Sequence, residues 1–302
     1  MNITLEELKK RYQSALRLLE ECRVCPRECK VNRPQREKGY CQLGSSLVIS
    51  SSGPHFGEEP PLVGRHGSGT IFFTSCNLDC MFCQNYDISH YRHGEEVSPE
   101  ELATIMLHLQ QRGSHNINLV TPTPQTPQIL EALYYARQEG LHIPIVYNCG
   151  GYEPMEVLRL LEGVVDIYMP DIKYSDEEKA FKLSGINRYP QVAKEALKEM
   201  HRQVGDLHID SQGIAQRGLL IRHLVLPNNL AGTADIVRFI AHELSPHSYV
   251  NIMDQYRPLF KADSYPPVNR SITGEEFQAA IDLARKEGLY RGFSSRRLIL
   301  WF

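Results

Sequence analysis

The chain has 302 residues, of which 42% are hydrophobic and 23% are charged, a composition typical of a globular protein. Its net charge is −3, so no overall basic field favours nucleic acid as a partner. No run reaches the roughly 20 apolar residues of a membrane helix, and the start, MNITLEELKK, lacks the apolar stretch of a signal peptide. We therefore expect a cytoplasmic protein whose 8 cysteines serve as ligands or catalytic groups rather than as disulfides.

The N-terminal part of the chain combines a helix with a cysteine-rich loop. Apolar residues at helical spacing and a capping box predict an amphipathic helix over residues 4–21. Residues 22–41 form the cysteine-rich loop, and the glycine- and proline-dense stretch 51–70 indicates a loop that wraps or links. Together these segments predict an N-terminal region covering residues 1–65.

From residue 70 onward, strand patterns alternate with helix patterns. Strands are predicted at 70–75, 116–121, 143–148, 164–169, 218–226 and 248–253. Helices are predicted at 98–111, 125–139, 153–162, 189–203, 232–244 and 273–287. The alternation indicates parallel βαβ units, and six strands are too few for a closed eight-stranded barrel. We therefore expect an α/β fold, either a partial barrel or an open sheet, over residues 66–270. A C-terminal helix and an apolar tail at 296–302 make up the remaining region, 271–302.

Three cysteines follow the first of these strands in the stretch GTIFFTSCNLDCMFCQN. The carboxyl ends of strands are where α/β folds bind cofactors, so Cys76, Cys80 and Cys83 stand at a cofactor position. Three thiolates at this spacing can bind three irons of a [4Fe–4S] cubane and leave the fourth iron open for a small molecule. An open metal position is typical of catalysis rather than of structure. A structural zinc site is the alternative, with a fourth ligand from Asp79, His90 or His93.

The CxxxCxxC spacing after a first strand, with the aromatic Phe82 before the last cysteine, resembles the radical S-adenosylmethionine (SAM) superfamily. The stretches CQNYDIS, TPTPQTPQI, YNCGGYE, DIYMPDIKY, IRHLVLPNN and NIMDQYRP resemble the PflX-type proteins, which are relatives of pyruvate formate-lyase activating enzyme. The resemblance extends from Cys22 to about Gly288. It implies a partial (β/α)6 TIM-like barrel in which a reduced [4Fe–4S] cluster donates an electron to SAM. The 5′-deoxyadenosyl radical that results would abstract hydrogen from a substrate.

The ends of the second and third strands carry candidate SAM contacts. Relatives often have a Gly-Gly-Glu stretch near the SAM amino group where this chain has Val-Thr-Pro-Thr. Backbone carbonyls and the hydroxyls of Thr121 or Thr123 are candidates to bind the ammonium, and a proline-stiffened turn is the alternative. Asn148 is a further candidate contact, and the paired glycines after it permit close backbone approach to a ligand. Cys149 is a candidate for a radical role, although we favour a buried small hydrophobe there.

The later strand ends carry charged candidates. Asp171 and Lys173 alternate to one face of an extended segment and suit a zwitterion such as the methionyl end of SAM, unless they form a surface ion pair. Arg222 lies in an apolar run and needs an anionic partner, and the resemblance implies that it lies near the carboxylate or ribose of SAM. His223 points to the opposite face, which predicts a core role. Residues 255–257 lack the histidine that activating enzymes tend to have here, which indicates a different substrate.

The front loop, residues 22–41, supplies four more soft ligands. They are Cys22, Cys25, Cys29 and Cys41. Four thiolates suit zinc, a mononuclear iron or a second [4Fe–4S] cluster. The resemblance is compatible with a cluster because many radical SAM enzymes hold auxiliary ones, and a closed structural zinc knuckle is the equal alternative. The loop is also rich in basic residues. A nucleic-acid-binding knuckle is disfavoured because Tyr40 is the only aromatic there that could stack on a base.

Three functions are compatible with these patterns. The first is an activase that abstracts hydrogen from a glycine of a partner protein, with an electron donor such as flavodoxin or ferredoxin. The second is a radical SAM enzyme acting on another peptide or a small molecule. The third is a non-enzymatic iron–sulfur or zinc protein. Asp171, Lys173 and Arg222 argue against the third function, because an electron carrier needs no such pocket.

Overall fold

A mostly parallel β-sheet forms the centre of the protein in a computed structural model that describes residues 3–293. The strands in this part of the chain are β1 (Leu47–His55), β2 (Ser68–Phe73), β3 (Glu95–Val97), β4 (Ile117–Val120), β5 (Ile145–Cys149), β6 (Ile167–Pro170), β7 (His208–Ile209), β8 (Ala215–Leu224) and β9 (Tyr249–Met253). Six of them run parallel in the order β2, β4, β5, β6, β8, β9. These six correspond to the six predicted strands, and the α/β partial-barrel fold is confirmed.

The parallel register brings the carboxyl ends of the strands to one edge of the sheet. One row of neighbouring residues crosses four strands near these ends. It consists of Phe72 in β2, Val120 in β4, Asn148 in β5 and Met169 in β6. The segments that follow these strands therefore meet at a common edge, where the predicted site residues lie.

The two faces of the strands pack against different partners, which explains their continuous apolar character. Tyr147 and Tyr168 belong to the large core formed with the surrounding helices. Val146 and Met169, on the opposite face, form a separate cluster that includes Leu62 from a short helix before β2. Strands covered on both faces lose the polar alternation of a half-exposed strand.

The helices largely follow the predicted periodicity. They are α1 (Leu5–Arg17), α2 (Pro60–Val63), α3 (Tyr86–Ser89), α4 (Pro99–Gln111), α5 (Thr126–Gln138), α6 (Met155–Leu161), α7 (Glu177–Ser184), α8 (Tyr189–Val204), α9 (Thr233–Phe239) and α10 (Gly274–Lys286). Helix α4 begins with a reciprocal capping box between Ser98 and Glu101. The predicted helix 232–244 is α9 followed by a π-helical turn, Ile240–Leu244.

Within residues 3–293, no helix is long and apolar enough to cross a lipid bilayer.

The prediction of a loop over residues 51–70 is wrong in part. The second half of β1 lies there, as do α2 and the first residues of β2. Strand β1 pairs antiparallel with β2, from Ile49 opposite Phe73 to His55 opposite Ser68, and this pairing outweighs its serine-, glycine- and proline-rich sequence. The apolar tail predicted at 296–302 lies outside the described residues, and the region boundaries at 65 and 270 stay predictions.

Candidate active site

The cluster loop, residues 74–85, follows β2 and carries the three cysteines of the CxxxCxxC motif. Its backbone is fixed to the end of α7, because the amides of Asp79 and Met81 donate hydrogen bonds of 2.9 Å to the carbonyls of Ser184 and Leu183. Ser75 adopts a left-handed conformation with φ of 68°, which turns the chain out of the strand. This geometry gives the cysteines a defined position at the carboxyl edge of the sheet.

The thiols of Cys76, Cys80 and Cys83 all line one cavity of about 230 Å³. Each sulfur also has a hydrogen-bond partner. The Leu78 amide donates to Cys76 at 3.3 Å, the Ser184 hydroxyl donates to Cys80 at 3.0 Å, and the Ser89 hydroxyl lies 3.1 Å from Cys83. Burial raises the pKa of Cys80 to about 11, so a bound metal is needed to hold this thiol as a thiolate. Three converging soft donors, of which Cys80 is buried and Cys76 and Cys83 are half-buried, fit an iron–sulfur cluster.

A charged triad, Asp171, Lys173 and Arg222, lines the same cavity. The Asp171 carboxylate accepts from Lys173 Nζ at 2.5 Å through one oxygen and from Arg222 Nε at 2.8 Å through the other. Although burial acts to raise it, the charges of Arg222 and Lys173 hold the pKa of Asp171 below its ordinary value. The pair that sequence spacing placed on one face is therefore a largely buried ionic group inside the site rather than a surface ion pair.

Asn148 and Thr121 complete the polar lining predicted at the strand ends. Arg222 donates to Asn148 Oδ1 at 2.7 Å, which extends the charged triad to β5. Thr121 lines the cavity, has a left-handed φ of 59°, and donates its amide to the Asn148 carbonyl at 2.9 Å. These contacts bring the ends of β4, β5, β6 and β8 into one polar surface.

Thr123 lies away from the cavity, in the 3-10 turn that precedes α5. It is fully buried, and its hydroxyl donates to Glu153 Oε1 at 2.7 Å. Tyr147 donates to the other oxygen of Glu153 at 3.2 Å. The hydroxyl of Thr123 therefore serves a buried carboxyl, whereas that of Thr121 belongs to a residue that lines the cavity.

Cys149 is 3% exposed, as expected of a buried small hydrophobe, and it also lines the cavity. Its thiol hydrogen-bonds to Glu153, and burial raises its pKa. His223 is buried as predicted, bonded to the Ile172 carbonyl at 2.8 Å and to the Thr233 hydroxyl at 2.9 Å.

Sequence reasoning missed two residues that shape the site. Glu59, just before α2, is buried with a carboxylate oxygen 3.9 Å from Arg222, and it accepts from Asn251 at 3.1 Å. Tyr189, the first residue of α8, accepts from the Lys173 amide at 2.9 Å and donates to the Gly150 and Asp171 carbonyls at 3.0 and 3.1 Å. The sequence indicated that Arg222 has an anionic partner, but it did not identify Glu59 as that partner. No sequence pattern placed Tyr189 at the site.

Of the three residues offered as alternative zinc ligands, Asp79 and His90 pair with each other, and the ring of His93 lies 6.0 Å from that of Tyr91. His90 lies 2.9 Å from Asp79 and packs against Phe260, with ring centroids 4.5 Å apart. Over residues 3–293, no set of three or more His, Cys, Asp or Glu side chains is arranged to hold a single metal ion.

The front loop lies directly against the cluster loop. Arg27 donates to the carbonyls of Asn77 at 2.6 Å and Gly185 at 2.9 Å, and its guanidinium lies 3.3 Å above the ring of Tyr40. The Ser75 hydroxyl donates to the carbonyl of Cys41. The four front-loop thiols lie near one another, since that of Cys25 interacts electrostatically with the other three.

Comparison with known proteins begins with a family model described as the radical SAM superfamily, which matches residues 70–213. The chain is 37% identical over 289 residues to the uncharacterized protein MJ0674 of Methanocaldococcus jannaschii, covering 92% of this chain and 78% of that protein. It is 24% identical over 292 residues to the uncharacterized protein MJ0808 of the same organism, covering 89% and 78%. Neither relative supports the PflX-type or activating-enzyme subtype.

Similarity to solved structures shows the fold. The structure of Streptococcus suis SuiB bound to SAM superposes with a TM-score of 0.52 at 13% identity, covering 75% of this chain and 49% of that one. A radical SAM methyltransferase from Sphaerobacter thermophilus gives a TM-score of 0.51 at 13% identity, covering 75% and 66%. The chain thus spans about half the length of the SuiB protein that it resembles.

The superfamily consists of enzymes, and it implies a [4Fe–4S] cluster and SAM as cofactors. The family match covers the cluster loop and the Asp171–Lys173 pair, and the described geometry brings both to one cavity. The chain belongs to the radical SAM superfamily.

Proposed function

We propose that this protein is a radical SAM enzyme that holds a [4Fe–4S] cluster on Cys76, Cys80 and Cys83 and binds SAM in the adjoining cavity. The observation that carries the proposal is that the three thiols and the charged triad line the same cavity. When bound, the reduced cluster and SAM supply a radical that abstracts hydrogen from a substrate. The donor set fits the cluster, since all three ligands are soft thiols that line one cavity.

The charged triad and Thr121 together give each end of the methionyl group of SAM a partner. The Lys173 ammonium interacts electrostatically with all three cluster-loop thiols, so it lies where a carboxylate beside the cluster would bind. Arg222 and Asn148 offer donors and an acceptor to the carboxylate or ribose, and the hydroxyl and carbonyl of Thr121 suit the ammonium. Because the triad residues pair with one another, Lys173 and Arg222 would exchange part of these contacts for contacts to SAM.

The cavity of about 230 Å³ is the space that the cluster and SAM would share, so a substrate would reach it from outside. The mouth carries Gln84 and Gln255, joined by a hydrogen bond of 3.0 Å. Hydrogen abstraction from a glycine of a partner protein is one candidate reaction, which rests on the resemblance of the strand-end motifs to those of activating enzymes. A low-potential donor such as flavodoxin or ferredoxin is the proposed source of the electron.

A second candidate is hydrogen abstraction from another peptide or a small molecule. It is favoured by residues 255–257, which line or adjoin the mouth without the histidine expected of activating enzymes. The non-enzymatic alternative is not proposed, because the superfamily consists of enzymes. The four cysteines of the front loop are proposed to bind a further metal centre.

Electron paramagnetic resonance tests the proposal. The protein is reconstituted with iron and sulfide without oxygen, reduced, and measured with and without SAM. Because SAM binds the open iron, we expect it to change the signal of the wild-type cluster. We expect Cys80→Ala to abolish the signal of that cluster. A fully loaded protein whose signal is the same with and without SAM would overturn the proposal.

A further inference from the structure

Arg33 is a buried cation without an anionic partner. It is 1% exposed, its Nε donates to the Gly44 carbonyl at 2.7 Å, and one terminal nitrogen donates to the Pro124 carbonyl at 2.7 Å. The other terminal nitrogen is buried and has no hydrogen-bond partner. A guanidinium removed from water in this way is costly unless a negative charge compensates it, so Arg33 indicates an anion that binds nearby.

The carboxylates of the described chain do not provide that anion. No carboxylate in residues 3–293 forms an ion pair with Arg33. Glu28 and Glu37, the acidic residues of the front loop, are exposed, and Glu37 accepts from the Asn32 amide at 2.7 Å. The group that does lie within electrostatic reach of the Arg33 guanidinium is the Cys41 thiol.

The backbone around the thiols is shaped to approach them closely. A Cβ on Gly39 would lie 2.8 Å from Cys29 Cβ and 2.9 Å from its sulfur, so glycine is the residue that fits. The following amide, from Tyr40, donates to Cys29 Sγ at 3.3 Å. Backbone N–H···S hydrogen bonds are among the features that tune iron–sulfur clusters.

The donor set suits a cubane. Four soft thiolates can serve the four irons of a [4Fe–4S] cluster, which is the cofactor class of the superfamily that the chain matches. A single zinc ion takes the same four ligands, and a sulfide count separates the two.

We propose that Cys22, Cys25, Cys29 and Cys41 bind a second [4Fe–4S] cluster and that Arg33 is its buried counter-cation. Four thiolates on a cubane give the centre a net negative charge, which the guanidinium balances in a place where water does not reach. This inference deepens the proposed function, since it identifies the metal centre of the front loop. It does not depend on the first cluster, because the two sets of ligands are separate.

The contacts between the two loops connect the second cluster to the first. Arg27 of the front loop is bonded to Asn77, which lies between two cluster-loop ligands, and Ser75, beside Cys76, is bonded to the Cys41 carbonyl. Loading of the front loop therefore positions the cluster loop, and we expect its loss to shift the signal and the midpoint potential of the first cluster.

Iron and sulfide counts on three variants test the second cluster. We expect about 8 irons and about 8 sulfides in the wild-type chain and about 4 of each when either loop is disabled. The cluster-loop variant carries Cys76→Ala, Cys80→Ala and Cys83→Ala, and the front-loop variant carries Ala at all four of its cysteines. Cys149→Ala is the control for loss of a thiol and keeps the wild-type counts. A front-loop variant with the wild-type count, or stoichiometric zinc without sulfide in the cluster-loop variant, overturns the inference. A front-loop variant that binds no iron contradicts the first cluster instead.

Arg33 is tested in the cluster-loop variant, where the second cluster is the only one. We expect Arg33→Met to release iron to a chelator at least ~10-fold faster than the parent, since ~1.4 kcal/mol of lost stabilisation corresponds to that factor. Arg33→Lys keeps the charge and stays closer to the parent rate. Thermal unfolding of the metal-free proteins distinguishes a structural role of Arg33 from a role as counter-cation. Both variants lose the two carbonyl contacts, so a structural role alone would lower the stability of both metal-free proteins. Equal iron release from Arg33→Met and Arg33→Lys contradicts the counter-cation role.

Discussion

Asp171 is the residue on which the charged triad depends. It is the only described carboxylate that contacts both Lys173 and Arg222 within 3 Å, one through each oxygen. Without its charge, the two cations would lie buried together with Glu59 as the remaining anion, at 3.9 Å from Arg222. Removing one partner of a buried ion pair costs more than the pair itself contributes, because the other charge stays desolvated.

Asp171→Asn is therefore expected to weaken SAM binding by about 10- to 100-fold, corresponding to the ~1.5–3 kcal/mol of a hydrogen bond to a charged group. Equilibrium dialysis with the reconstituted protein measures the change. Asp282→Asn, on the exposed side of α10, serves as the matched control and keeps the wild-type affinity. An unchanged affinity in Asp171→Asn would remove the triad from the SAM site.

Glu153 gives the buried core a titratable group. Burial raises its pKa to about 8, although hydrogen bonds from Thr123 and Tyr147 act in the opposite direction. The folded state thus holds a proton that the unfolded chain releases near pH ~4.3. The stability that this proton contributes is present in full below about pH 4 and is lost progressively as the pH rises to about 8.

Glu153→Gln keeps the shape of the side chain and removes this titration. We expect the unfolding free energy of the variant to depend less on pH than that of the wild type. Between about pH 4.5 and about pH 8.5, the wild type should lose roughly 3–5 kcal/mol more than the variant. Urea unfolding at both ends of that range is the measurement. Glu139→Gln, at an exposed position, keeps the wild-type profile. Parallel profiles for wild type and Glu153→Gln would contradict a raised pKa.

The turn after β5 shows how neighbouring strands are held at the site. Sequence analysis assigned the glycine pair there to close approach of a ligand. In the structure the close neighbours are protein atoms: a Cβ on Gly150 would meet Leu78 at 2.5 Å, and one on Gly151 would meet the Asp171 carbonyl oxygen. Gly151 also has a φ of +74°, which disfavours any other residue. These glycines therefore position the cluster loop and the charged triad.

Gly151→Ala is expected to lower the unfolding free energy by more than the ~1–2 kcal/mol of a left-handed alanine, because it adds a clash with the end of β6. Gly140→Ala is the matched control. Its φ is +94°, and a Cβ there has nothing within 4 Å, so it reports the backbone cost alone. Chemical denaturation compares the two, and equal losses would show that the close approach to Asp171 carries no energy.

Elements with strong periodicity could be predicted from the sequence, and elements defined by pairing could not. The six parallel strands were predicted because their apolar runs are buried on both faces. Strand β1 was missed because its C-terminal segment, SSSGPH, is typical of a loop, and only pairing with β2 makes it a strand. The charged triad was predicted because charged side chains at strand ends and in apolar runs require partners of opposite charge. Glu59 and Tyr189 were missed because they reach the site from elements that are distant in sequence.

At the scale of the whole molecule, the cluster loop lies between two supports. Helix α7 fixes its backbone on one side, and the front loop contacts it through Arg27 and Ser75 on the other. The ends of β4, β5, β6 and β8 close the cavity with polar side chains. This arrangement leaves one side of the cluster site facing the cavity, which is where a reaction with SAM would take place.

Reductive cleavage of SAM tests this account most directly. The anaerobically reconstituted protein is reduced with dithionite in the presence of SAM, and 5′-deoxyadenosine and methionine are quantified by liquid chromatography. We expect both products in equal amounts from the wild type and neither from Cys80→Ala. A protein with a fully loaded cluster that forms neither product, or a Cys80→Ala variant as active as the wild type, would contradict the radical SAM assignment of this site.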